Sequence, residues 1–186
     1  MTLESSLIAI VKEYESSFKD KVFSVEQPTY DLLMDIFNVT PDIKAGNRQF
    51  WGRELGMCWQ RLVIAVCRDK CSDFIPAFRV GNDEPCDLIV GKYAIDTKYR
   101  MGSGDSGTLK KFKSYGQLLR TNYSLEPVML FVRDDNLKSA IDACKAGTWK
   151  IYTSNDTFEF IKGLTGFDIK EWLTVNKGRF NIKIEI

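Results

Sequence analysis

Asp87, Asp96 and Lys98 are the residues whose types and spacing could carry a reaction. Asp96 and Lys98 stand two apart in a run of strand formers, Tyr93 to Tyr99, so both side chains leave one face of an extended segment. Asp87 opens the apolar run Leu88-Ile89-Val90, and a turn at Gly91-Lys92 folds it back toward Asp96. Converging carboxylates can hold a hard divalent cation, Mg2+ or Mn2+, through oxygen, with the backbone carbonyl of Thr97 as a further ligand. An ammonium beside them can position a water or stabilise an anionic transition state. That is the outline of a metal-dependent phosphodiester-cleaving site. The plain alternative is an Asp-x-Lys on a solvated strand face and an Asp doing turn chemistry.

The flanking elements must place these side chains. Apolar residues at Leu3, Leu7, Ile10, Val11, Tyr14 and Phe18 recur at helical spacing, and Tyr30 to Phe37 predicts a second helix. Residues 40–48 read as a polar connection, followed by a long helix from Arg48 to Arg68. Phe74 to Val80 is expected to be a strand weakened by Pro76, and the hairpin follows it. Next come a helix over Thr108 to Thr121, an apolar strand at Val128 to Val132, a helix at Asn136 to Lys145 and a strand at Trp149 to Tyr152. Helices at 155–164 and 168–175 and a last strand at Phe180 to Ile186 complete the expectation. The fold class is α/β with a mixed, α+β-type sheet, helices on both faces and extra N-terminal helices. One domain is expected over 1–186: an N-terminal helical extension (1–47), a catalytic core (48–153) and C-terminal helices and strand (154–186).

The run Pro85-Cys86-Asp87 … Asp96-Thr97-Lys98 resembles the PD-(D/E)xK nuclease superfamily, and within it the type II restriction endonucleases. Its continuation, Lys98-Tyr99-Arg100-Met101-Gly102-Ser103-Gly104-Asp105-Ser106-Gly107-Thr108-Leu109-Lys110-Lys111-Phe112-Lys113, is similar to small restriction endonucleases of the ApaLI-like group. The proline comes one residue early and the second acid is Asp where Glu is commoner. The αβββαβ element order is the core of that superfamily. The resemblance implies Asp87 and Asp96 as metal ligands, Lys98 as the catalytic lysine, and a glutamate from the preceding helix, Glu54, completing the metal shell. It also implies double-stranded DNA as substrate, a short palindromic target, and a companion DNA methyltransferase in the same host. One site per chain and two strands per duplex predict a two-fold dimer, with residues 3–37 as dimer or recognition elements. Two other readings share the residues: a structure-selective repair or recombination nuclease of the junction-resolvase kind, and a catalytically inactive DNA-binding module.

Composition narrows the classes. The chain has 186 residues, a formal net charge of +1 and no histidine. Without histidine there is no Ser-His-Asp triad, no histidine general base and no His-zinc or haem site. Near-neutrality disfavours a protein that coats nucleic acid, while a basic stretch remains: from Lys92 to Arg120 seven basic residues face two acids. Arg100, Ser103, Ser106, Lys110, Lys111 and Lys113 are the candidate DNA contacts there. The five cysteines form no pairable framework, so free thiols in a reducing cytoplasm are expected. The run Leu7 to Val11 is too short for a membrane span.

Gly102-x-Gly104-x-x-Gly107 is literally a dinucleotide-binding pattern between a strand and a helix. The strand before it reads as too polar for the buried centre of a doubly wound sheet, and as third in a meander where that motif opens a βαβ pair. Glu84 competes with Glu54 as an extra acid, with surface exposure expected. Trp149 and Trp172 read as core.

Overall fold

The computed structural model describes residues 25–102, 104, 106–180 and 182, together with Ile8, Val11, Lys12 and Glu15. The expected first helix therefore lies largely outside the described residues; the four described there have helical backbone and are exposed. The expected last strand falls mostly outside them as well.

From residue 32 the elements run α1 (Leu32–Phe37), α2 (Pro41–Gly46), α3 (Arg48–Lys70), β1 (Phe74–Pro76), β2 (Leu88–Val90) and β3 (Tyr93–Lys98). They continue α4 (Ser106–Tyr123), β4 (Glu126–Phe131), α5 (Lys138–Ala146), β5 (Lys150–Thr153), α6 (Ser154–Thr165) and α7 (Ile169–Val175). The five strands form one mixed sheet in the order β1-β2-β3-β4-β5. β1, β2 and β3 are an antiparallel meander, while β4 pairs parallel with β3, and β5 with β4. Helix, three-strand meander, helix and parallel strand thus follow in the expected αβββαβ order, with β5 added beyond.

Local chemistry sets the boundaries. Asp31 caps α1 by accepting from the N–H groups of Leu33 and Met34, each at 3.1 Å. The stretch read as a polar connection is a helix instead: Thr40 caps Ile43 N–H, and Pro41 occupies the first turn, where its missing donor costs nothing. Asn47 then caps α3 through Phe50 N–H. The expected strand over Phe74 to Val80 stops at Pro76, which has no donor to extend the ladder; Val80 only bridges Asp83. Gly91 takes a left-handed φ of 54° in the two-residue turn that joins Val90 to its partner Tyr93.

Side-chain alternation along the strands gives the sheet two apolar faces. Leu88, Val90, Ile95, Val128 and Leu130 join Leu55, Trp59 and Val63 of α3 and residues of α1, α6 and α7 in one cluster. Ile89, Ala94, Met129 and Phe131 join Phe112, Leu119, Ala140, Cys144 and Trp149 in the other, under α4 and α5. Helices cover both faces, as expected. Trp149 is buried and its Nε1 donates to Phe112 O at 2.7 Å. Gly116 lets α4 lie against the turn at Gly147, since a Cβ there would overlap the Gly147 carbonyl oxygen. Trp172, by contrast, is 38% exposed and not a core residue. No helix among the described residues is long and apolar enough to cross a membrane.

Two arguments from the sequence about β3 give way. The strand lies at the centre of the sheet with Ala94 to Thr97 buried, polar residues included. It also opens a parallel βαβ unit through α4 to β4.

Candidate metal and phosphate site

The hairpin brings Asp87, Asp96 and Lys98 together at the end of β3. Asp96 points to the α4/α5 face, 9% exposed, and its carboxylate is ion-paired with the Lys98 ammonium. Asp87 precedes β2 and turns to the α3 side. Its Oδ2 accepts from both the backbone N–H and the hydroxyl of Thr97, each at 2.7 Å. Its Oδ1 accepts from Gln60 Nε2 at 2.6 Å. Within a strand, N–H and C=O of one residue point to the same side, so the Thr97 carbonyl faces the Asp87 side too.

The electrostatics follow from counting charges. Two carboxylates share one ammonium, and the deficit falls on the more buried acid. Asp96 is pushed up from 3.8 to about 6, first by burial and further by the Asp87 charge, with Lys98 pulling the other way. Burial alone would lower Lys98, but the carboxylates of Asp96 and Asp87 outweigh it and hold the ammonium above its ordinary value. The constellation is one positive charge short, which suits a cation. Among the described residues no three carboxylate or thiol side chains converge as a metal cage. Mg2+ does not require one, because it is commonly held by one or two carboxylates, waters and substrate phosphate.

Lys98 also lines a cleft of about 820 Å³. Arg48, Gln49 and Gly52 of α3 form one wall, and the chain from Tyr99 to Gly102 with Thr108 and Phe112 of α4 forms another. Glu26 completes the rim. Behind it lies a network of buried charges. Arg133 donates to Asp135 at 2.9 Å, to Asp31 at 3.2 Å and to the carbonyl of Gln27 at 2.9 Å. Lys44 is bonded to Glu26 and to the Tyr99 hydroxyl, which in turn donates to Asp31. Arg100 pairs with Asp135 at 3.2 Å. This network fixes segment 26–31 to the ends of β3 and β4.

The remaining candidates divide. Glu54 is not brought to the site: it pairs with Arg53 at 2.9 Å and lines a separate depression with Met57, Cys58 and Arg61. Glu84 is exposed and paired with Arg79. Ser106 opens α4 in solvent, while Ser103 lies outside the described residues. Lys111 is ion-paired with Asp83 at 2.8 Å, and Lys110 and Lys113 are exposed on the outer side of α4. The basic stretch is therefore partly neutralised, since Lys92, Lys98, Arg100 and Lys111 all have carboxylate partners. Two site residues escaped sequence reasoning. Gln60 was signalled by its helical spacing from Gly52 and Gly56, the stripe of α3 facing the end of β3. Arg48, at the cleft wall, had only its place at the start of a helix to mark it.

The glycine loop makes room for this chain's own side chains. The Arg100 guanidinium occupies the space beside Gly102, and Leu109 comes within 2.8 Å of a Cβ position on Gly104. The cysteines are free, and burial pushes the thiols of Cys86 and Cys144, near the acids, up to about 12, so they stay protonated. No protein-family model, no curated protein and no solved structure matches this chain.

Proposed function

We propose that the chain is a magnesium-dependent endodeoxyribonuclease, a type II restriction endonuclease that hydrolyses double-stranded DNA at a short palindromic sequence. The observation that carries this reading is a pair of carboxylates whose charge holds the one ammonium of Lys98, with Lys98 itself lining a cleft that Arg48 and Arg100 also line. Asp87, Asp96 and the Thr97 carbonyl would hold Mg2+ or Mn2+. The bound metal supplies a Lewis acid for the phosphoryl oxygen and makes a water more acidic. Lys98 belongs to both the acid pair and the cleft, so its ammonium is placed to leave Asp96 for the extra negative charge of an attacked phosphate. Arg48 stands exposed at the wall, where it can meet a backbone phosphate. Lys110 and Lys113 extend positive charge along α4 outside the cleft.

A homodimer, each copy cutting one strand, and a methyltransferase that protects host DNA belong to the same proposal. The test is incubation with plasmid and genomic DNA plus Mg2+, followed by sequencing of the ends. Discrete fragments with one common terminus support the restriction enzyme. A smear, or cutting confined to four-way junctions, replaces it with an unspecific or structure-selective nuclease. Tight duplex binding without cutting under any divalent metal leaves an inactive binding module.

A further inference from the structure

The Asp87 carboxylate is held by more than its own hairpin. An ionised carboxylate offers about four lone-pair positions. Thr97 fills two on Oδ2, and Gln60 fills one on Oδ1. One remains, on Oδ1, and the Gln60 amide decides which way it points. Gln60 reaches Asp87 from α3, 27 residues earlier in the chain. Gly52 and Gly56 lie on the same side of α3, and Gly56 faces Tyr99 at the end of β3, where a Cβ would sit in ordinary contact at 3.6 Å.

The choice of side chain fits a cation site. A Lys or Arg at this place would cancel the negative charge that the two acids share, and a carboxylate would repel Asp87. A neutral amide donor fixes the rotation of Asp87 and leaves its charge intact. We propose that Gln60 is a positioning residue of the metal site: its amide holds Asp87 so that the remaining lone pair of Oδ1 is the one presented to a divalent cation. This rests on the metal-dependent reading above, and the experiment separates the two.

Mn2+ is titrated into the DNA-free protein at pH 7.5, with free Mn2+ followed by electron paramagnetic resonance, for wild type, Gln60→Ala, Gln60→Met, Gln60→Glu and Asp96→Asn. Outer-shell partners of ligating groups typically govern about 10–100-fold in metal affinity, so Gln60→Ala should bind Mn2+ weaker by about that factor with its far-ultraviolet circular dichroism retained. Gln60→Glu places a second carboxyl at hydrogen-bond distance from Asp87, and the pair shares a proton. Its Mn2+ affinity should therefore climb about tenfold per pH unit while that proton is being displaced, exceeding wild type at alkaline pH. Gln60→Met keeps the packing of α3 but has no donor, so it should bind Mn2+ as weakly as Gln60→Ala; a residue that merely packs α3 against the sheet would leave it at the wild-type affinity. Mn2+ binding by Gln60→Ala within about twofold of wild type, alongside weakened binding by Asp96→Asn, overturns the role of Gln60 alone. Equal or absent binding by wild type and Asp96→Asn overturns the metal site itself. If Gln60→Ala loses its fold, Gln60→Met decides: Mn2+ binding within about twofold of wild type rejects the proposal.

Discussion

Asp96→Asn should make the metal-free protein more stable while ending its activity. The buried carboxylate holds its proton to about pH 6 in the folded chain, against an ordinary value of 3.8. At about 1.36 kcal/mol per tenfold change in proton affinity, that interval amounts to roughly 3 kcal/mol. The sign follows from which state binds the proton better. Below about pH 4 Asp96 is protonated folded or unfolded, and its burial carries no charge penalty. Between pH 4 and 6 the unfolded chain ionises first, so this group's stabilising preference drains away as pH rises. Above about pH 6 both states are ionised and the penalty is complete. Asparagine keeps the shape without the charge, so its advantage is near zero at pH 4 and about 2–3 kcal/mol at pH 8. The attraction of Lys98 is already inside that balance, since the raised value is what remains after it. Urea unfolding in EDTA, followed by tryptophan fluorescence at pH 5, 6, 7 and 8, measures the difference. For a chain of this length it corresponds to roughly 5–10 °C in Tm. An Asp96→Asn protein less stable than wild type at pH 8 in EDTA would falsify the charge deficit assigned to the site.

Lys98→Met should reduce DNA cleavage by at least about 100-fold, the usual effect of removing one group aimed at transition-state charge, with fold and Mn2+ binding retained; unchanged single-turnover rates would remove Lys98 from the chemistry. Arg133→Met leaves Asp31 and Asp135 without their shared guanidinium, and breaking such a buried set from one side should cost about 3–5 kcal/mol in urea unfolding. Gly116→Ala drives a methyl into the Gly147 carbonyl and should destabilise by about 1–3 kcal/mol, read as a lowered midpoint with unchanged m-value. Arg48→Ala should weaken duplex binding for every sequence alike and lower the slope of log affinity against log salt by about 1; a change confined to one DNA sequence would make it a base contact instead.

The parts of the candidate site that were legible in the sequence are those fixed by local geometry. Strand alternation put Asp96 and Lys98 on one face, and the glycine of a two-residue turn brought Asp87 beside them. Both depend on neighbours a few residues away. Glu54 lies away from the acids for a reason the sequence also held. Residues 54 and 56 differ by about 200° around a helix, so a side chain at 54 points away from the glycine stripe that faces β3. Gln60, one turn beyond Gly56, lies on that stripe, but nothing in its type alone advertised it. The burial of β3 was misjudged because polarity was read as exposure, whereas Thr97 satisfies its hydroxyl and N–H on Asp87 and Lys98 answers Asp96. The basic stretch from Lys92 to Arg120 lost much of its charge to Asp83, Asp96, Glu126 and Asp135. The pairings with Asp83, Glu126 and Asp135 join residues distant in sequence, which a run of charges does not show. The helix at 41–46 was missed because a single short element leaves little periodicity to read, though Thr40-Pro41 is a start signal.

The buried charges that fix segment 26–31 also set an order of events during synthesis. Arg133 bonds to Gln27 and Thr29 across 106 and 104 residues of sequence. Contacts so distant along the chain form slowly and carry a large loop-closure cost. While a ribosome is still making β4, Lys44, Glu26 and Asp31 have no guanidinium to complete their set and remain in water. The Asp87–Asp96 hairpin spans only ten residues and can close long before. The acids are thus in place early, and the rim of the cleft at Glu26 is fixed late, after residues 133–135 have left the ribosome. A chain truncated before Arg133 would keep the acid hairpin and the α3 side of the cleft, and lose the bonds that hold segment 26–31 at its rim.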